Sequence, residues 1–297
     1  MALKESVKVD IYKLDIYRKL NKVSEGTDVS LKQLESLLDN ASYRIYYSDD
    51  GAIANKDNMI DYFSDNGLPD GYIAFTEFGS TGGTKAVVKD MDVPNSMFAK
   101  HPTIEEVELV GDVTSIGDNA FIECPNLVTI NIPDTVTSIG DKSFNGCSSL
   151  IMTELSNEIV SIGTSAFEGC TGVTLTKLPD ALKTVGEEAF YGCTGLTLTD
   201  FPDGIETISP WAFGGCTGIA ITTMPESVKL IGSDAFRDCT GLTTLTFEGT
   251  PDAIKSFAFN ECSNLLEMRV PWDEGEIEWA PWGAWNATIV YNYIPIT

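Results

Sequence analysis

The chain has 297 residues, room for one large domain or two smaller ones, and its 43% hydrophobic and 21% charged content is that of a folded protein. Nineteen basic against 44 acidic residues give a formal charge of -25, a field that repels phosphate backbones and anionic lipid and argues against nucleic-acid and membrane-surface partners. No apolar run reaches the ~20 residues of a membrane span, and the opening "MALKESVKVDIYKLDIYRK" lacks the uninterrupted apolar stretch of a secretory signal. Such a chain is expected to fold in a cytosol, where thiols stay reduced.

Residues 1–90 carry 11 basic and 15 acidic groups, whereas 91–297 carry 8 and 29, so the acidity is concentrated in the second part. "VKVDIYKLDIYRKL" begins with strand alternation at Val7, Val9 and Ile11, then loses it, and stays ambiguous. Ser30–Asn40 predicts an amphipathic helix with a Ser30/Gln33 capping box and Leu31, Leu34 and Leu38 on one face. "YRIYY" and "YIAFTEF" predict strands, and "KDNMIDYFSDNG" a short helix stopped at Gly67. "GSTGGTK" fails the spacing of a phosphate loop, because Thr84 stands where glycine is needed, and reads as a flexible hinge. Residues 1–90 are thus expected to form a small α+β anchoring domain.

From residue 91 the sequence repeats at a fixed interval, marked out by seven evenly spaced cysteines. These are Cys124, Cys147, Cys170, Cys193, Cys216, Cys239 and Cys262. Phenylalanine stands three places before each, from Phe121 to Phe259, and Leu, Val or Ile three places after. One such unit cannot bury its own apolar positions, but stacked units lay like over like and build a continuous core, with coils about 4.8 Å apart. The expected architecture is a solenoid of parallel β coils over 91–297. Within a unit, "LTLTDFP" predicts a strand ended by proline and "GIETI" a second extended piece. "PWAFGG" and "GDNAFIE" predict one helical turn, with Asp118, Asp141, Thr164 and Ser233 placed ahead of it as caps.

The strand register is uneven. Six places after the cysteine stand Ile130, Leu245 and Met268, but in the central four units the apolar residue comes one place earlier, at Met152, Leu175, Leu198 and Ile221. A one-residue slip turns a side chain to the other face, so a bulge or local shift is expected there. At the ends the pattern decays: Phe98 and His101, then Trp282 and Trp285, hold the Phe and Cys registers, as caps would, with the closing cap over about 272–297.

The pattern C-x-x-L…I-P-x-x-V-x-x-I-G-x-x-A-F-x-x-C, as in "CPNLVTINIPDTVTSIGDKSFNGC", resembles the BspA-like leucine-rich repeat family over residues 91–297. That resemblance implies a leucine-rich-repeat solenoid, and a role as bacterial surface adhesin or protein-binding module. The closing "VPWDEGEIEWAPWGAWNATIVYNY" resembles the terminal cap of related repeats in phage structural proteins, which implies a virion component.

The residues offer little chemistry. Stacked cysteines would lie within disulfide range, but their odd number, the reducing context and their place between two core positions favour a buried thiol ladder. A linear ladder cannot converge four ligands on zinc, a lone histidine excludes a histidine-pair metal site, and the place of His101 at a cap argues for a structural role over a Ser-His-Asp triad. Asp134, Asp180, Asp203 and Glu226, each after a proline, form with Asn157 in the same register a mainly acidic ladder, a polar turn for which Ca²⁺ is the alternative. Thr174, Thr176, Thr197, Thr199 and Thr222 form a flat uncharged strip that suits strand surfaces and is the candidate binding face. Trp272, Trp279, Trp282 and Trp285 either close the core or stack on sugars.

These readings converge on a non-enzymatic binding protein with no cofactor and no metal. The first expectation is a phage head or tail fibre or decoration protein, made in the host cytoplasm, whose N-terminal domain meets other virion proteins while the repeats meet a host-surface protein or glycan. The alternative is a bacterial cell-surface adhesin or an interaction scaffold. Neither nucleic acid nor membrane insertion is expected, and self-association stays open.

Overall fold

The computed structural model describes residues 92–101, 104–278 and 280–294, preceded by five strands at Ser6–Val7, Val29–Ser30, Arg44–Ile45, Tyr72–Phe75 and Lys85–Lys89. The chain divides into two compact units, Met1–Met91 with Pro102–Val113, and Asp92–His101 with Thr114–Thr297. In the first, Tyr72–Phe75 pairs antiparallel with Lys85–Lys89, and the latter pairs parallel with Glu106–Val110. Ala86 lies opposite Val107 and Val88 opposite Leu109, all four buried, as one face of a period-two strand requires. Strands fall where "YRIYY" and "YIAFTEF" predict them. Of the helix expected over Ser30–Asn40 only Ser30 is described, ending the strand Val29–Ser30, and of the hinge expected over Gly79–Lys85 only Lys85, opening the strand Lys85–Lys89. The rest of both, and the helix expected over 56–67, lie outside the described residues.

The second unit is a parallel β-solenoid that makes one turn for each repeat of the sequence. Two-residue strands at Ser115–Ile116, Ser138–Ile139, Ser161–Ile162, Thr184–Val185, Thr207–Ile208, Leu230–Ile231 and Ala253–Ile254 pair in order into a seven-stranded parallel sheet. Ile or Val at the second position of each strand points into the core and is buried throughout. A second parallel sheet joins Thr223–Met224, Thr244–Phe247, Glu267–Arg269 and Thr288–Val290.

The turn before each cysteine holds the coils together. Its amides alternate between two destinations. Ala120, Ile122 and Cys124 donate within the turn, to Gly117, Asn119 and Phe121, while Asn119, Phe121 and Glu123 donate across to Asp141, Ser143 and Asn145 of the next coil. The helical turn is thereby opened into a ladder that satisfies the backbone between coils. Alternation requires left-handed residues, and two recur in each coil: five places before the cysteine (Ser96, Asn119, Lys142, Ser165, Glu188, Trp211, Asp234, Phe257) and one place before it. The central coils fill the second with Gly146, Gly169, Gly192 and Gly215.

The expected caps act one coil onward. Asp118 Oδ1 accepts the amide of Asp141 at 2.9 Å, and Asp141 Oδ1 that of Thr164 at 2.7 Å. Each aspartate thus closes the entry of the following turn, since its own amide is already taken from the coil before: Asn95 Oδ1 accepts Asp118 N–H at 2.8 Å.

Phe98, Phe121, Phe144, Phe167, Phe190, Phe213, Phe236 and Phe259 form one stack, with ring centroids 5.0 to 5.5 Å apart and planes within 13°. Trp282 follows in register: its carbonyl accepts the Phe259 amide at 3.0 Å and its ring is buried, with Trp272 edge-on at 6.4 Å. Trp285, in the cysteine register, is instead 69% exposed, so the closing coil continues the phenylalanine line and abandons the thiol line. Trp279 lies outside the described residues.

The expected strand at "LTLTDFP" does not form. In the central coils Met152, Leu175, Leu198 and Ile221 point inward one place early; the first three of these coils keep only an isolated Met152–Val173 bridge, and the ladder resumes at Thr223–Met224. Amides there reach back one place short of a full repeat, with Thr174 donating to Met152 at 2.8 Å and Thr197 to Leu175 at 3.0 Å. The slip anticipated from the sequence is accommodated by leaving the regular ladder, because keeping it would turn these side chains to solvent.

Candidate binding surface

Each cysteine thiol donates to the carbonyl of the phenylalanine in the preceding coil, from Cys124 on Phe98 at 2.9 Å to Cys262 on Phe236 at 3.0 Å. All seven are buried and free of disulfide. Burial pushes the Cys124 thiol up to about 11 and those of Cys216 and Cys262 to about 12, and holds Cys170, Cys193 and Cys239 well above the ordinary thiol value. Nucleophilic and metal-binding sulfur is a thiolate, so these groups are poor in both roles. His101 is half-buried, and that burial lowers its pKa. Among the described residues no three His, Cys, Asp or Glu side chains cluster to hold a metal ion, and the five residues of the mainly acidic ladder are exposed on their turns.

The threonine strip lies at the surface. Thr174, Thr176, Thr197, Thr199 and Thr222 are all exposed, with buried Leu175, Leu198 and Ile221 between or beside them. The alternation out–in–out shows that the chain stays extended here without a strand ladder. Coils register the row: Thr199 donates its amide to Thr176 at 3.5 Å, and Thr246 donates to Thr222 at 2.8 Å. Thr199 Oγ1 donates to Asp200 at 3.0 Å. β-Branched hydroxyls fixed at χ1 on a repeating backbone make a rigid polar surface, suited to hydrogen bonding at small entropic cost.

A model of the BspA-type leucine-rich repeat region, in six copies, matches residues 91–220 and 183–279. The chain belongs to the BspA-type leucine-rich repeat family. No curated protein matches it. Among solved structures, a leucine-rich cell surface protein of Faecalibacterium prausnitzii is 23% identical with a TM-score of 0.51, over 64% of this chain and 61% of that one. A T. pallidum leucine-rich repeat protein is 24% identical (TM-score 0.37, 65% and 81% covered), and one from Eubacterium ventriosum 18% identical (TM-score 0.39, 70% and 74% covered). The chain thus spans about three fifths of the Faecalibacterium protein. At this identity the likeness is one of fold: a BspA-type solenoid, an architecture of stacked coils that presents extended surfaces.

Two surface features escaped the sequence reading. The first positions of five of the seven strands in the seven-stranded sheet give a second hydroxyl row, Ser115, Ser138, Ser161, Thr184 and Thr207, visible in the period 14 places after His101 and the first four cysteines; Leu230 and Ala253 end the row. The second is an aromatic group on the turn face. Trp211 meets Tyr191 edge-on at 5.8 Å, and the Arg237 guanidinium lies 5.4 Å from its centroid. Its sequence signal was an aromatic residue at a register where the neighbouring units carry Glu188 and Asp234.

Proposed function

We propose that this protein is a non-catalytic adhesion module of a bacterial surface, whose repeats hold a host-surface protein or glycan and whose first unit anchors it. The observation that carries this reading is the exposed threonine row set in register by a BspA-type solenoid. The F. prausnitzii likeness, to a protein described as cell-surface, supports the location. The virion reading, drawn from the repeat family, the closing segment, the opening residues and the acidic surface, gains no support from the structures matched, so the surface reading is preferred.

Antibody labelling of intact cells of the producing bacterium tests the location, with surface staining expected. Unstained cells, together with the chain in purified phage particles by mass spectrometry, would restore the virion reading. Replacing Thr176, Thr199 and Thr222 together by Lys should weaken binding of the full chain to an immobilised host-cell layer at least tenfold. Unchanged binding would remove the threonine row from the function.

A further inference from the structure

The left-handed position five places before each cysteine, and before His101, is elsewhere filled by small or polar residues: Ser96, Asn119, Lys142, Ser165, Glu188 and Asp234. Trp211 (φ 58°) and Phe257 (φ 61°) break that rule, and for bulky side chains positive φ is a costly outlier. Phe257 gains little by burial, being 50% exposed. Around Trp211 its own turn and the coils on either side are fitted to it. Gly214 stands where other coils carry Tyr191, Arg237 or Asn260, and a Cβ there would lie 2.9 Å from the Tyr191 ring and 3.1 Å from the Trp211 ring. Tyr191, 40% exposed, stands against the Trp211 edge, and Arg237 is held over its ring by Asp234 at 3.3 Å and Asp238 at 3.5 Å.

We infer that Tyr191, Trp211 and Phe257 form a second binding surface, on the turn face, for a basic segment of another protein. Three choices in two adjacent coils point to a contact surface: an aromatic at a strained position, a glycine in the same turn that makes room beside it, and an arginine of the next coil pinned over it. Trp, Tyr and Arg are the residues that dominate the centres of protein interfaces. The charge selects the partner. Arg237 is neutralised by its two aspartates, while Glu187, Glu188 and Glu261 add negative charge along the same turns. A Lys/Arg-rich segment with an apolar or aromatic residue at its centre matches this pattern, through cation–π contact with the rings and ion pairing at the rim. The inference rests on reading the repeats as a protein-binding module, but it concerns a face that the threonine row does not use.

The test is selection of a random displayed peptide library on the immobilised full-length chain. Enriched peptides should carry Lys or Arg around an apolar centre, weaken with salt, and bind Trp211→Asn at least tenfold less tightly. They should bind the triple threonine variant as they bind the wild type, so that failure of the adhesion reading and failure of this one are told apart. Trp211→Asn should melt at or above the wild-type temperature, since Asn119 fills the same left-handed register. Each of four results overturns the inference: no enrichment, peptides indifferent to Trp211→Asn, a lowered melting temperature showing that Trp211 serves packing, or a neutral glycan array whose binding depends on Trp211.

Discussion

The thiol of Cys193 donates to the carbonyl of Phe167 at 3.0 Å, and the same oxygen accepts the amide of Cys170 at 3.0 Å. One carbonyl thus uses both lone pairs, one inside its own coil and one toward the next. Cysteine suits the site because it is small and apolar in body yet carries one weak donor. Cys193→Ala removes the second bond and leaves a small void, so we expect a loss of about 1–2 kcal/mol in urea unfolding. An unchanged midpoint would show that the thiol serves only to fill space.

The same burial makes the array sensitive to alkali. The folded state keeps its thiols protonated while the unfolded chain loses those protons above pH 9.0, the ordinary thiol value, so folding binds protons in that range. Stability is complete below about pH 9 and falls as pH rises toward the folded values, of which that of Cys124, about 11, is reached first. Each thiol that stays protonated only in the folded state adds a slope of up to about 1.4 kcal/mol per pH unit, so the seven together make stability fall steeply within this window. Melting curves from pH 7 to 11 check this. At pH 8 a thiol reagent should modify few cysteines in the native chain and all seven in denaturant.

Two glycines should respond differently to alanine. At Gly140 a Cβ would lie 2.5 Å from Asp118 Oδ1 and 2.8 Å from its amide nitrogen, because the preceding coil's cap passes directly over the backbone. Gly169 has φ +73° and nothing within 4 Å of the added atom. Gly140→Ala is expected to cost about 2–3 kcal/mol by forcing the coils apart, and Gly169→Ala about 1 kcal/mol from the left-handed backbone alone. Thermal unfolding of both variants decides, and the reverse order would refute this account of coil contact.

Asp92 marks the acid limit. Burial acts to raise its pKa, but hydrogen bonds from the Thr114 hydroxyl and the amides of Thr114 and Ser115, at 2.7 to 2.8 Å, outweigh it and hold the carboxyl below its ordinary 3.8. Its charged form therefore stabilises the folded state above that value, and the contribution fades as pH falls through the folded pKa. The melting-temperature gap between wild type and Asp92→Ala should be full at pH 6 and shrink below pH 4. A gap independent of pH would mean that the charge contributes nothing.

The shared period of the Cys, Phe and Ile positions was enough to establish the solenoid and the buried thiols, because a residue repeated in phase can be buried only by its own copies in neighbouring coils. The displaced Met152, Leu175, Leu198 and Ile221 likewise announced where the ladder would yield. The destination of hydrogen bonds was not legible. Asp118 and Asp141 have the composition of caps, but only the stacking distance of the coils decides that each caps the following turn. "PWAFGG" has the pattern of a helical turn, yet inter-coil bonding outcompetes the helix and drives Trp211 to positive φ, next to Tyr191 and Arg237 from the coils on either side. Period is a property of the chain and survives in one dimension. Which side chains meet on a surface depends on three-dimensional register, and there the tertiary structure alone decided.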